Sequence, residues 1–384
     1  MSPETRWLLA CVQSLNGQDA PSPPVGPLDW DLLLASAEAE GLAPALSFAI
    51  KAKAPETMPA AVRERLGRHL ADSVASHLML SRELASLLRH FGAARVPVIP
   101  LKGPVLGEIL YPDPALRPSS DLDLLIRPET LLPVDGLLQS LGYCRLADAH
   151  SWDFDVAYDR ATLYEGPSGI RVDLHWGLLS DPRYSWNERE GLTVWDRTVR
   201  IRVAGEEALG LCPEDLLLYL ALHLAVHHGL AGLLWYWDLF LLLDRWGGTL
   251  DWEAVIRQAS LWRVRAALYF AFLGLELFFG SSAPASVMKR VRPGGPRAAA
   301  VGWLLRHRAA QRRRQPEHLI ALLLVDRGRD LLAPLRQVLC PGPAWVQARY
   351  AGAGSSLFSK YLAHYRRGGQ VMGEATRGLA GRGR

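Results

Sequence analysis

The sequence predicts an α+β fold, a mixed sheet with flanking helices set between N-terminal and C-terminal helical regions. Three observations predict it. Short apolar runs with a two-residue period fall between residues 96 and 176. Runs with a helical apolar period stand on either side, over residues 6–94 and 212–279. Within the strand region, aspartates alternate with apolar residues, as Asp121-Leu122-Asp123-Leu124 and again as Val172-Asp173-Leu174-His175.

Residues 6–94 read as helices over 7–15, 30–51 with a break at Gly41, and 59–91. Leu80, Leu84, Leu87, Leu88 and Phe91 recur at helical spacing in the last of these, and Pro59 stands where a first-turn proline is tolerated. His69, His77 and His90 read as surface or packing residues. A first strand over 96–101 ends at Lys102-Gly103, and Pro104 opens a helix over 105–110. A PDPALRPSS loop leads to the Asp121-Asp123 strand, and a helix over 131–141 is closed by Gly142. Residues 143–146 and 154–158 read as further strands, and 161–176 as a hairpin turning at 166–169. From Cys212 the pattern is helical again. Pro213 and Glu214 open a helix with Leu217, Leu220, Ala221, Leu224 and Val226 on its apolar face. Trp235 to Leu243 continue the core, and 252–279 supply two more helices. The expected organisation is a helical region 1–95, a catalytic domain 96–205, a helical domain 206–290, and a basic extension 291–384, partly helical with a disordered tail beyond Gly368.

A chain of 384 residues suits two or three units of about 100 to 200 residues each. A formal net charge of +4 excludes a protein that coats nucleic acid by charge alone. The dominance of Arg over Lys, with abundant Ala, Leu and Gly, matches a GC-rich genome. Cys11, Cys144, Cys212 and Cys340 are far apart with no CxxC spacing, which excludes a zinc knuckle or disulfide framework and fits reduced thiols in a cytoplasmic protein. Glu4 and Arg6 precede only a short apolar run, a poor signal peptide. The apolar stretches 230–243 and 264–279 carry Asp238 and Glu276, so neither reads as a membrane span.

Side chains alternate along a strand, so Asp121 and Asp123 share one face while Leu122 and Leu124 take the core face. Burying two like charges in an apolar run is costly unless a cation or a dense set of donors lies between them. With the 171–176 strand alongside, Asp173 joins them. Three hard oxygen ligands suit Mg2+ or Mn2+, which complete their shells with water and phosphate oxygens. That is the chemistry of phosphoryl or nucleotidyl transfer. Lys102 and the amides at the start of the following helix are placed to hold the phosphates.

The order of Gly turn, helix, Asp-x-Asp strand and later lone Asp resembles the nucleotidyltransferase superfamily that includes polymerase beta. More narrowly, LKGPVLGEILYPDPALRPSSDLDLLI, then VDLHWGLL, then CPEDLLLYLALHLAVHHGLAGLLWYWDLFLLL resemble the bacterial family of uncharacterised nucleotidyltransferases, over roughly residues 6–280. The resemblance implies a polymerase beta-like sheet. It also implies transfer of a nucleoside monophosphate from a nucleoside triphosphate, ATP by default, with catalysis and metal binding by Asp121, Asp123 and Asp173. The acceptor it leaves undefined: a peptide or protein, a glycan or a small metabolite. The wider superfamily has Gly-Ser or Gly-Gly at the turn where this chain has Lys102-Gly103.

Around this core several residues carry two readings. Arg117 either clamps the triphosphate or pins its loop through Asp113 or a backbone carbonyl. Ser119 and Ser120 either donate to phosphate or cap the loop. His175 touches the acceptor, orients a metal ligand, or packs. His223 and His227, spaced as one α-helical turn, are candidates for acceptor contact or support. With His228 and Asp238 they also allow a metal phosphohydrolase, although the Glu of HExxH is absent. The basic run 306–319 is a solvated face or a nucleic-acid contact. A non-catalytic module binding a nucleotide or a partner on the same fold is the alternative to the enzyme.

Overall fold

The computed structural model describes residues 1–17, 28–51, 55, 57–146, 152, 156, 160–178, 194–311, 323–327, 336, 339–350 and 352–380. The strand expected over 154–158 lies largely outside them.

Among the described residues the N-terminal region holds four helices, α1 (Pro3–Ser14), α2 (Trp30–Ala39), α3 (Ala43–Ile50) and α4 (Ala60–Ala93). Ser2 and Asp29 cap α1 and α2 by accepting from the amides of Thr5 and Leu32, satisfying donors that the helix itself leaves free. The break between α2 and α3 falls at Gly41, whose φ of +70° an L side chain seldom adopts.

The main sheet contains β1 (Val98–Pro100), β2 (Asp121–Ile126), β3 (Cys144–Arg145), β4 (Ala161–Glu165) and β5 (Arg171–His175), in the order β1-β2-β5-β4-β3. Only β2 and β5 run parallel. Their register sets Asp123 opposite Asp173, Leu124 opposite Leu174 and Leu125 opposite His175. The pleat then sorts the residues. Leu122, Leu124, Ile126, Val172, Leu174 and Tyr164 point to one face, where they pack with Leu84, Leu88 and Phe91 of α4 and with Val134 and Leu138 of α6 (Leu131–Ser140). Ile99, Leu101 and Leu125 belong instead to the large helical core. Asp121, Asp123, Asp173 and His175 share that second face, so β2 is buried on both sides and its carboxylates lie between sheet and helices.

Between β1 and β2 the chain makes a short helix, α5 (Pro104–Leu110), after a tight turn at Gly103. Residues 199–210 form a hairpin of β6 (Val199–Val203) and β7 (Glu206–Gly210), so the domain limit expected at residue 205 falls inside its turn. Glu108 of α5 accepts from the turn amide of Ala204 at 3.0 Å through both carboxylate oxygens. Arginines and glutamates alternating with small apolar residues hide this hairpin from a hydropathy reading.

The helical domain follows as α7 (Pro213–Leu222), a single π-turn over His223–His227, α8 (Leu233–Trp246), α9 (Trp252–Leu261) and α10 (Arg265–Phe279). Gly280, in the left-handed conformation, closes α10. Beyond it lie α11 (Ala285–Val291), α12 (Gly295–Gln311), α13 (Pro343–Arg349) and α14 (Leu357–Ala380). The chain past Gly368, expected to be disordered, is therefore helical as far as Ala380. Among the described residues no helix is long and apolar enough to cross a membrane.

Gly103 sits at φ +61° and ψ −128°, and a Cβ there would lie 3.2 Å from the Asp121 carbonyl oxygen. Replacing it with Ala is expected to lower stability by about 1–3 kcal/mol, measured as a shifted denaturant midpoint at unchanged slope.

Candidate active site

The site begins with the β2–β5 register. Asp123 is 6% exposed, and its Oδ1 receives two cationic partners: Lys102 Nζ at 2.8 Å and His175 Nε2 at 3.3 Å. His175 Nε2 also lies 3.2 Å from Asp173 Oδ2, so the imidazole bridges the two facing carboxylates. Asp173 is the more open of the two, with a third of its side chain accessible. Asp121 shares the face but lies one pleat earlier on β2, opposite Arg171.

The electrostatics follow from this packing. Burial disfavours the Asp123 charge, yet the His175 hydrogen bond and the Lys102 ammonium outweigh it and hold the carboxyl well below the usual range. Burial likewise opposes a charge on His175, but Asp173 and the hydrogen bonds the ring donates to both carboxylates push it up to about 9. Asp121 is raised by burial and by repulsion from Asp123. An imidazolium and an ammonium thus stand where the like charges call for a cation.

Asp123, Asp173 and His175 each bring a ligand atom within 4.8 Å of the others, a group that could hold a metal ion. Two carboxylates and an imidazole suit a divalent ion, and the buried Nδ1 of His175 has no partner among the described residues, so the ring carries donor capacity the fold does not use. The group differs from the expected three aspartates in having His175 where Asp121 was expected. Asp121, whose charge is coupled to those of Asp123 and Asp173, is outside this set.

Arg117 pins its loop, as one sequence reading expected, through a partner that neither reading named. Its guanidinium is buried and makes a two-pronged pair with Asp238, Nε to Oδ1 and Nη2 to Oδ2, each at 2.9 Å. The Tyr111 hydroxyl donates to Asp238 Oδ1 at 2.6 Å, and Nη1 donates to Ser119 at 3.1 Å. Asp113, the partner expected from the sequence, instead accepts from the Ala115 amide. Arg117 is therefore a bolt between the loop before β2 and α8. Its partner lies 121 residues along the chain, beyond the reach of local pattern. Ser120 is exposed, and Ser119 turns back on its own loop.

The histidine segment also differs. The sequence spacing placed His223 and His227 together on a regular α-helix. The π-turn winds wider: the His227 ring still lies against His223, 5.1 Å between centroids, and His228, five positions on, also brings its Nε2 to 3.0 Å from His223 Nε2 while stacking on Trp235. Burial and then Lys102 hold His223 well below its usual value, which makes it a neutral partner facing the site. Asp238, the carboxylate expected to join these histidines, is engaged by Arg117 and Tyr111. Tyr219, which the sequence reading missed inside the apolar face of α7, is buried nearby, and burial together with Asp123 and Asp173 raises its phenol well above the usual value.

A mixed sheet carrying acidic residues on one face, flanked by helices, is consistent with a nucleotidyltransferase fold. The chain belongs to the family described as uncharacterised nucleotidyltransferase, whose model matches residues 26–280. A search of curated proteins finds no match.

Truncating Arg117 to Ala leaves Asp238 charged and buried, and is expected to cost about 3–5 kcal/mol in a chemical melt. The His175 proton gives a second expectation. Its pKa is higher folded than unfolded, so in the cation-free protein its stabilisation is complete below the ordinary 6.5 and is lost as pH rises through about 9. A cation binding at His175 must displace that proton. Calorimetric affinity for Mn2+ is therefore expected to rise with pH up to about 9 and level above it. A flat profile would mean the imidazole gives up no proton.

Proposed function

We propose that this protein is a divalent-metal-dependent nucleotidyltransferase that moves a nucleoside monophosphate from a nucleoside triphosphate, ATP by default, to a hydroxyl acceptor on a peptide or protein, a glycan or a small metabolite. The observation that supports it most is the in-register pair of buried Asp123 and half-buried Asp173, two like charges held face to face on parallel strands. The family supports the reaction class.

In this reading Asp123 and Asp173 hold Mg2+ or Mn2+, with Asp121 joining them. Bound there, the ion supplies Lewis-acid polarisation and neutralises phosphate charge. Lys102, released from Asp123, turns to the triphosphate, and the Gly103 turn lets backbone approach it closely. Asp173, the more exposed carboxylate, takes the proton of the acceptor hydroxyl as its oxygen bonds the α-phosphorus. The bond from that phosphorus to the bridging oxygen breaks, and pyrophosphate leaves with the electron pair. Arg117 shapes the floor of the site through Asp238. The neutral His223 and the Tyr219 phenol are placed on the helical side to meet an acceptor.

A second reading has one observation in its favour. Lys102 and His175 already neutralise the carboxylates, as they would in a module that binds a nucleotide without turning it over. Calorimetry with ATP, GTP, CTP and UTP, with and without Mg2+, separates the two. The enzyme reading expects one triphosphate to bind only with Mg2+ and to lose at least about tenfold in affinity in Asp123→Asn. It also expects turnover to fall at least about a hundredfold in Asp121→Asn, Asp123→Asn and Asp173→Asn. Tight binding indifferent to Mg2+ and to these changes would select the binding module.

A further inference from the structure

The segment after the matched family domain has a charge unlike the rest of the chain. Residues 281–384 carry 19 Lys and Arg against 4 Asp and Glu, whereas residues 1–280 carry 24 against 35. The modest net charge of the whole conceals an acidic body and a strongly basic extension. Its last two helices are α13 and α14. One face of α14 is docked: His364 is buried, its Nδ1 lies 3.2 Å from the Tyr350 hydroxyl, and Trp345 meets its ring edge-on at 5.6 Å.

A second face is apolar and uncovered. Phe358, Leu362 and Tyr365, spaced as one helical stripe, are 77%, 40% and 50% exposed. The Tyr365 and Tyr361 hydroxyls donate to the carbonyls of Leu339 and Pro341, which sets the equally exposed Leu339 beside the stripe. Arg366 and Arg367, both exposed, follow directly on the same helix. At 24 residues α14 is about 36 Å long and carries too much charge to cross a bilayer.

We propose that α14 docks the protein on an anionic lipid surface, lying in the headgroup plane. Phe358, Leu362 and Leu339 enter the acyl boundary, and Arg366 and Arg367 with the neighbouring basic residues meet the phosphates. An apolar stripe beside arginines is what an interfacial helix requires. A polynucleotide would use the arginines and leave the aliphatic stripe in water.

The test is co-sedimentation of the intact protein with vesicles of phosphatidylcholine alone and of phosphatidylcholine mixed with phosphatidylglycerol. Binding to the mixed vesicles is expected to exceed binding to the neutral ones by at least about tenfold and to collapse in high salt. Both Phe358→Glu with Leu362→Glu and Arg366→Glu with Arg367→Glu are expected to abolish it. These positions are exposed, so both variants should keep the wild-type circular dichroism and melting curve. Absence of binding to mixed vesicles by the folded wild type overturns the proposal, as does binding indifferent to the Phe358 and Leu362 changes. Self-association in lipid-free buffer that those changes abolish would show a second copy covering the stripe. Capture of single-stranded RNA lost in the same variant would assign the face to nucleic acid, and either result also overturns the proposal.

Discussion

The parallel pairing of β2 with β5 governs the rest. It sets two carboxylates opposite each other, Asp123 buried and Asp173 a third exposed, where water screens their repulsion only in part. Everything around them answers that problem. Lys102 is delivered by the turn that only Gly103 can make, and His175 arrives two residues after Asp173 on the same strand. The apolar residues alternating with these charges pack on the opposite face against α4 and α6, so the hydrophobic pattern that builds the sheet also aims the acidic groups.

The second constraint is the buried Arg117–Asp238 pair. An ion pair of this kind contributes little net stability against an apolar replacement, while losing one partner is severe, and its value is in fixing geometry. Here it links the loop that presents β2 to α8, with Tyr111 as a third member. The helical domain's Tyr219 lies within electrostatic range of Asp123 and Asp173, and His223 within that of Lys102. That position is a property of the whole chain and of no single motif.

Much of this was legible beforehand. The β1-turn-α5-β2 passage, the alternation at Asp121, Asp123 and Asp173, and the helices α2, α3, α4, α9 and α10 follow from period, glycine and proline placement. Two kinds of feature were hidden. Partners far apart along the chain, such as Arg117 with Asp238 or Glu108 with Ala204, leave no local trace. Departures from ideal winding, such as the π-turn that brings His228 to His223 beside His227, add a partner without altering composition. His175 belongs to both kinds: its place on the strand face was readable, and its bridge between Asp123 and Asp173 depended on the register between strands.

The parallel β2–β5 pair also bears on how the molecule assembles. Fifty-two residues of chain separate Asp123 from His175, and they include α6, β3 and β4. Closing a crossover of that length is entropically slow beside hairpin and helix formation, so the two halves of the acidic centre meet late in folding. Until β5 docks, Asp121 and Asp123 share the edge of an unfinished sheet with Lys102 as their nearest counter-charge. In folding, as in the finished protein, Lys102 is the first counter-charge these carboxylates meet.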